Sequence, residues 1–142
     1  MRDNVSMTDA RSIDPPSKQF LANVLVVDDD VKLASVIVRF LSGAGYVCAT
    51  AHTGDEALWA TNQSTPDAIV MDVMIPHPSG IEVCRHLRAD GYGGPIVVIS
   101  ARSTQGDRDA AVRAGATDFL AKPFPLAQLA SVLSSTLGQG PL

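Results

Sequence analysis

Short apolar runs alternate with longer amphipathic segments along most of this chain. The apolar runs are Val24–Val27, Val47–Ala51, Ala68–Met71, Ile96–Ile99 and Thr117–Ala121. They are apolar at nearly every position instead of at every second one, which is typical of strands that are buried on both faces. The pattern therefore predicts β-strands at these positions.

The segments between the runs carry apolar residues at helical spacing. The first helix is predicted from Leu33, Ile37, Phe40, Leu41 and Ala44, with Gly45 ending it. A later one is predicted from Ile81, Cys84 and Leu87, and the next from about Thr104 to Ala114, closed by Gly115. The last is predicted to start with Pro125 in its first turn and to place Leu126, Leu129, Leu133 and Leu137 on one face.

Strands alternating with helices predict an α/β fold built from βαβ units, and therefore a parallel sheet. Right-handed crossovers favour a doubly wound five-stranded sheet with helices on both faces, and we expect the strand order 2-1-3-4-5. Residues 1–21 lack periodicity and are predicted to be a disordered lead-in. Residues 22–137 are predicted to form one domain, and residues 138–142 a tail or the start of a linker.

Composition narrows the class of protein. The chain has 142 residues, a net charge of −4, 46% hydrophobic and 18% charged residues, which favours a soluble globular protein over a basic nucleic-acid binder. No apolar run reaches the roughly 20 residues of a membrane span, and the N-terminus is too polar for a signal peptide, so we expect a cytoplasmic protein. Cys48 and Cys84 are expected to be buried free thiols instead of a disulfide.

Polar residues occupy the predicted carboxyl ends of four strands. Asp28, Asp29 and Asp30 follow the first, Asp72 the third, Ser100 the fourth, and Lys122 with Pro123 the fifth. Functional sites of open α/β sheets lie at these ends, and in the expected order the first and third strands are neighbours. Asp28, Asp29 and Asp72 should therefore converge.

Three converging carboxylates repel one another, and a divalent cation would relieve that repulsion. Hard oxygen ligands favour Mg²⁺, and Lys122 would supply a further positive charge. In such surroundings Asp72 is suited to in-line attack on phosphorus. Taken singly, Asp30 would be a helix cap, Ser100 a turn residue and Lys122 a surface charge, but their joint occurrence favours a site.

In these residues the chain resembles the receiver domain of two-component response regulators, over about residues 22–137. The matching motifs are "VLVVDDD", "DAIVMDVMIP" with the following "SG", "VVISAR" and "GATDFLAKPF". The resemblance implies the flavodoxin-like receiver fold. It also implies a phosphoprotein that accepts a phosphoryl group from a sensor histidine kinase and catalyses its own phosphorylation and dephosphorylation, instead of an enzyme with a separate substrate.

The resemblance also implies a role for each site residue. Asp72 is the phospho-acceptor, Asp29 a direct Mg²⁺ ligand, Asp28 a ligand acting largely through water, and the backbone carbonyl of Met74 a further ligand. Ser100 and Lys122 are expected to hold the phosphoryl oxygens, and the Lys122–Pro123 bond to be cis. Ser100 and Phe119 are the expected switch residues, which would reshape the surface of helix 4, strand 5 and helix 5.

Two features depart from the family pattern, and one pair of residues resembles a group within the family. The loop after Asp72 contains Pro76, His77 and Pro78; we expect an exposed His77, although its proximity raises the hypothesis that it affects the phosphoryl lifetime. No charged residue occurs from Pro123 to Leu142, which makes the salt-bridged dimer of some winged-helix regulators doubtful. Met74 and Arg102 resemble the pairing in transcriptional regulators with long-lived phosphorylation.

Some properties stay open at this stage. The chain is either a stand-alone receiver or the input part of a protein with an output domain after Leu142, which would act through the face of helix 4, strand 5 and helix 5. A phosphorylation-dependent homodimer is compatible with the sequence, whereas direct nucleic-acid or membrane binding by this segment is not expected.

Two other functional classes fit parts of the pattern. A phosphatase of the haloacid-dehalogenase type would use an aspartate after the first strand, and Asp28 and Asp30 have its spacing, but Lys32 stands where that signature has Thr or Val. A pseudo-receiver would bind partners without phosphorylation. A flavodoxin-like FMN module is excluded, because three aspartates would repel the phosphate.

Overall fold

Five strands and five helices alternate along the described part of the chain, and the strands form where the sequence is apolar. The computed structural model describes residues 22–138. The strands are β1 Asn23–Val27, β2 Val47–Ala51, β3 Ala68–Asp72, β4 Ile96–Ser100 and β5 Asp118–Ala121. The helices are α1 Val31–Gly43, α2 Gly54–Gln63, α3 Gly80–Ala89, α4 Gln105–Ala114 and α5 Leu126–Gly138. The predicted lead-in and the last four residues lie outside the described residues.

All strand pairs are parallel, and the order in the sheet is β2-β1-β3-β4-β5. The predicted doubly wound α/β fold and strand order are therefore confirmed. Every residue of β3 and β4 is buried, as their continuous apolar sequence predicts. β2 is an edge strand and is largely exposed, which sequence periodicity alone did not distinguish from a central strand.

Two apolar cores cover the two faces of the sheet. One contains residues of α2, α3 and α4, among them Ala57, Leu87 and Ala111. The other contains residues of α1 and α5, among them Ile37 and Leu133. Burial of apolar surface on both faces, at about 25 cal/mol per Å², is the main force that holds these helices on the sheet.

Polar caps determine where the helices begin. Asp30 accepts a hydrogen bond from Leu33 N at the start of α1, as predicted from the sequence. Thr53 caps α2, and Ser79 and Thr104 form capping boxes at α3 and α4. Because each cap directly follows the loop at a strand end, the caps fix the geometry of the edge where the site lies.

Several sequence-based boundaries and burial predictions need correction. Phe40 is 37% exposed, because the buried stripe of α1 runs through Ala34, Ile37 and Leu41. α5 begins at Leu126, and Pro125 precedes it while its carbonyl accepts from Gln128 N.

The two cysteines also differ from each other. Cys84 is buried as expected, but Cys48 on the edge strand is only half-buried, and both are free thiols. Burial raises the pKa of the Cys84 thiol, which disfavours its reactive thiolate form. No helix among residues 22–138 combines the length and the hydropathy that crossing a membrane requires.

Candidate functional site: an acidic cluster at the carboxyl edge of the sheet

Asp28 and Asp72 are brought together by the pairing of β1 with β3. Val27 on β1 is in register with Met71 on β3, so the residues that follow them, Asp28 and Asp72, lie at the same edge of the sheet. Asp28 is fully buried and Asp72 is 3% exposed, whereas Asp29 is exposed. One ligand atom from each of these three carboxylates lies within 4.8 Å of the others. The predicted convergence of the acidic residues is therefore present in the structure.

Lys122 reaches the cluster from the end of β5. Its Nζ donates to Asp28 Oδ2 at 2.9 Å and to Asp72 Oδ2 at 2.7 Å. Burial tends to lower the pKa of this ammonium group, but hydrogen bonds and charge from Asp72 and Asp28 outweigh it and raise the pKa. Lys122 therefore stays charged, and it explains how two carboxylates can be held in a buried position.

The second oxygen of each buried carboxylate is held by the backbone. Asp28 Oδ1 accepts from Asp30 N, and Asp72 Oδ1 accepts from Met74 N, both at 2.9 Å. Burial is the main influence on Asp28 and raises the pKa of its carboxyl group. Three carboxylates with one ammonium group leave an excess of negative charge, carried by hard oxygen donors. This donor set fits a divalent cation such as Mg²⁺.

Ser100 lies beside the cluster at the end of β4. Asp72 is in register with Ile99, so Ser100 is the next residue along the neighbouring strand. It is 1% exposed, and its Oγ accepts from Arg102 N at 3.0 Å. A cavity of about 50 Å³ lies next to it, lined in part by Met74 and Arg102. The hydroxyl thus has free volume on the side of the β3–α3 loop.

Phe119 occupies β5 two strands away from Asp72, in register with Val98 on β4. It is half-buried and packs against the core under α4. The guanidinium carbon of Arg108 lies 4.7 Å from the centre of its ring, at a distance typical of a cation–π contact. Phe119 is therefore at the boundary between the core and the α4–β5 surface.

The loop from β3 to α3 covers one side of the cluster. Met74 is 52% exposed, and the His77 side chain is 87% exposed, with its Nδ1 3.9 Å from Glu82 Oε1. The expected exposure of His77 is therefore observed. The Lys122–Pro123 bond is cis as expected, and the His77–Pro78 bond is also cis. A Cβ on Gly80 would overlap the carbonyl of Asp72, so a glycine is needed where α3 starts against the strand.

Sequence reasoning missed the turn between β2 and α2. His52 Nδ1 lies 2.8 Å from the main-chain oxygen of Asp28, and Gly54 N donates to Pro76 O at 3.0 Å. The available signal was that β2 is parallel to the other strands and so ends at the same edge. Acidic, hydroxyl and lysine side chains at the other strand ends form a recognisable set, whereas a single histidine after an edge strand does not.

Comparison with known proteins agrees with this geometry. The family model described as response regulator receiver domain matches residues 24–134. Response regulator MprA of Mycobacterium ulcerans is 45% identical over 114 residues, which cover 80% of this chain and 49% of that protein. MprA of Mycobacterium tuberculosis is also 45% identical, with 80% and 50% covered. The chain thus spans about half the length of these curated relatives.

Solved structures give the same result. The receiver domain of the Francisella response regulator 1452 superposes with a TM-score of 0.81 at 30% identity, covering 84% of this chain and 99% of that one. Chemotaxis protein CheY4 of Vibrio cholerae gives a TM-score of 0.77 at 30% identity, with 81% and 98% covered. Fold, motif positions and relatives therefore agree, and the chain belongs to the response regulator receiver domain family of two-component systems.

Proposed function

We propose that this receiver domain accepts a phosphoryl group on Asp72 from the phosphohistidine of a sensor histidine kinase. The observation that carries the proposal is the position of Asp72. Its carboxylate is almost fully buried, lies within 4.8 Å of two further carboxylates and accepts a 2.7 Å hydrogen bond from Lys122. A buried carboxylate surrounded by cation-binding groups is suited to attack phosphorus.

The transfer needs only the Asp72 carboxylate, the phosphohistidine of the kinase and a proton from solvent. A carboxylate oxygen of Asp72 attacks phosphorus, a P–O bond forms, and the P–N bond to the kinase imidazole breaks. The electron pair of the broken bond stays on the imidazole nitrogen, which takes up a proton from solvent. Hydrolysis of the resulting acyl phosphate by water regenerates Asp72, so the domain acts as a self-catalysed phosphoryl acceptor and not as an enzyme with a separate substrate.

Mg²⁺ is the cofactor that the donor set fits. Asp28, Asp29, Asp72 and the backbone carbonyl of Met74 would hold it, with Asp28 acting largely through water. When bound, it would neutralise charge on the carboxylates and on the transferred group. Lys122 and the Ser100 hydroxyl would then hold the phosphoryl oxygens.

Phosphorylation would act on a surface of α4, β5 and α5. The cavity beside Ser100 supports movement of its hydroxyl towards the phosphoryl group. Phe119, half-buried under the guanidinium of Arg108, would turn inward and change the α4–β5 surface. That surface would contact an output domain, a downstream protein or a second copy of the chain.

We place this signalling step in the cytoplasm. The chain carries a net charge of −4, which supports a protein-binding role for this segment over direct nucleic-acid or membrane binding. The matched residues cover only about half of those relatives, which supports an attached output domain as the context of this receiver.

The test is covalent labelling with a small phosphodonor. The protein is incubated with acetyl phosphate, with Mg²⁺ or with excess EDTA, and its intact mass is measured. For the wild-type protein we expect the added mass of one phosphoryl group with Mg²⁺ and none with EDTA. For Asp72→Asn we expect no adduct in either condition.

Asp28→Asn is the matched control, because it changes the neighbouring buried carboxylate. It should slow labelling but leave the adduct on the peptide that contains Asp72. In the wild-type protein, a label on the peptide that contains Asp28 instead of the peptide that contains Asp72 would support a phosphatase of the haloacid-dehalogenase type. Absence of any adduct on the wild-type protein would contradict the proposal and favour a pseudo-receiver.

A further inference from the structure

The turn between β2 and α2, residues 52–54, contacts both loops that carry the acidic cluster. His52 Nδ1 lies 2.8 Å from the main-chain oxygen of Asp28, and because a carbonyl oxygen only accepts hydrogen bonds, the ring nitrogen donates. Gly54 N donates to Pro76 O in the β3–α3 loop at 3.0 Å. One turn of the edge strand therefore links the β1–α1 loop to the loop after Asp72.

The turn is itself held in place by the start of α2. His52 N donates to Glu56 Oε1 at 2.7 Å, and Glu56 N donates to the capping hydroxyl of Thr53 at 3.0 Å. A Cβ on Gly54 would overlap the carbonyl of Pro78, so the turn and the proline loop are in close contact. The His52 ring is thus presented from a backbone that has little freedom to move.

Asp28 is anchored to the end of β2 at both its amide and its carbonyl. Asp28 N donates to Ala51 O at 3.0 Å, and Asp28 O accepts from the ring of His52. The peptide group that joins Asp28 to Asp29 is planar and rigid, so orienting its carbonyl also orients the start of Asp29. The ring therefore influences where two of the three carboxylates lie.

We propose that His52 is a positioning residue of the acidic cluster, which holds the Asp28–Asp29 peptide so that the carboxylates meet around a divalent cation. The inference rests on the proposed function and extends it to a residue outside the four strand ends of the predicted site. Groups that orient metal ligands typically change metal affinity by about 10- to 100-fold when they are removed. A change of that size is expected here.

The test compares two substitutions that differ in one donor atom. In His52→Asn the amide Nδ2 occupies the position of the histidine Nδ1 and can still donate, whereas His52→Leu places a methyl group there. Mg²⁺ affinity is measured by isothermal titration calorimetry on folded protein. We expect His52→Leu to weaken Mg²⁺ binding by about tenfold or more, and His52→Asn to retain affinity close to that of the wild type.

His86→Leu is the control, because it removes a histidine on α3 whose side chain is 58% exposed and paired with Asp90. It should bind Mg²⁺ like the wild type. If His52→Leu does not fold, His52→Ala replaces it in the comparison with His52→Asn.

Two results would overturn the role of His52 but not the proposed function. One is a wild-type Mg²⁺ affinity in His52→Leu, and the other is an equal loss of Mg²⁺ affinity in His52→Asn and His52→Leu. A wild-type protein that binds no Mg²⁺ would overturn the proposed function as well. The Mg²⁺ affinity of the variants therefore tests the role of His52, and the Mg²⁺ affinity of the wild-type protein tests the site itself.

Discussion

Tyr92 shows how one half-buried polar side chain ties stability to pH. Its hydroxyl donates to Pro66 O at 2.9 Å, and the Arg88 guanidinium carbon lies 5.7 Å from the centre of its ring. Burial is the main cause that raises the pKa of Tyr92 to about 12, with Asp67 adding to the shift and Arg88 opposing it. The folded state therefore binds the phenolic proton more tightly than the unfolded state, whose pKa is near the ordinary value of 10.0.

This difference predicts a loss of stability at alkaline pH. Below the unfolded pKa both states are protonated and the contribution is fully present. As pH rises from about 10 to about 12, the unfolded chain loses its proton first and the free energy of unfolding falls. Urea unfolding at a series of pH values should show this fall in the wild type and a shallower one in Tyr92→Phe.

The phenylalanine variant also has a cost at neutral pH. It leaves the carbonyl of Pro66 without its hydroxyl donor, which should lower the free energy of unfolding by about 1 kcal/mol. Parallel pH profiles for the two proteins would contradict the assignment to Tyr92.

At the scale of elements, Arg88 on α3 holds together the amino edge of the sheet. Its guanidinium donates to the carbonyls of Gly115, Tyr92 and Gly94 at 2.9, 2.7 and 2.7 Å, and to Thr117 Oγ1 at 3.3 Å. These acceptors lie at the end of α4 and in the segments that lead into β4 and β5. The planar group matches several acceptors at once, which a lysine ammonium cannot do.

Arg88→Lys should therefore be destabilising although it keeps the charge. We expect a decrease of about 2 to 3 kcal/mol in the free energy of unfolding, because several carbonyl acceptors lose charged donors. Chemical denaturation monitored by circular dichroism measures it.

Arg85→Lys on the same helix is the comparison, since Arg85 is exposed. It should change stability by less than about 0.5 kcal/mol. Similar effects of the two substitutions would show that the hydrogen bonds of Arg88 contribute little.

At the scale of the whole molecule, the acidic cluster depends on contacts between distant parts of the chain. Lys122 and Asp28 are separated by 94 positions, and Lys122 and Asp72 by 50. They meet because parallel pairing places the carboxyl ends of β1, β3, β4 and β5 at one edge. A cation that binds there binds only the folded chain, so it should stabilise the entire domain.

Mg²⁺ should accordingly raise the melting temperature. At a Mg²⁺ concentration 100 times the Kd, binding to the folded state should raise the free energy of unfolding by about 2.7 kcal/mol. Differential scanning calorimetry with Mg²⁺ and with excess EDTA measures the shift, which should be reversible.

Asp29→Asn is the variant to compare, because it removes an exposed carboxylate of the cluster without leaving a buried charge unpaired. Its melting temperature should respond much less to Mg²⁺. An equal response would assign the effect to nonspecific ion binding.

The sequence by itself determined the elements, the parallel sheet and the residues at four of its strand ends. These depend on local properties: continuous apolar runs of about five residues, helical spacing, and capping residues such as Asp30 and Thr104. It therefore predicted the convergence of Asp28, Asp29 and Asp72 once a strand order was assumed.

Only the tertiary structure decided the remaining features. The exposure of Phe40, the exposure of most of β2 and the contact between His52 and Asp28 depend on which elements pack side by side. Local periodicity reports that a face is apolar, but not which neighbour covers it or which loop a polar side chain meets. The partners of Lys122 and His52 are set by the packing of segments that are far apart in the chain, and this information is absent from any short window of sequence.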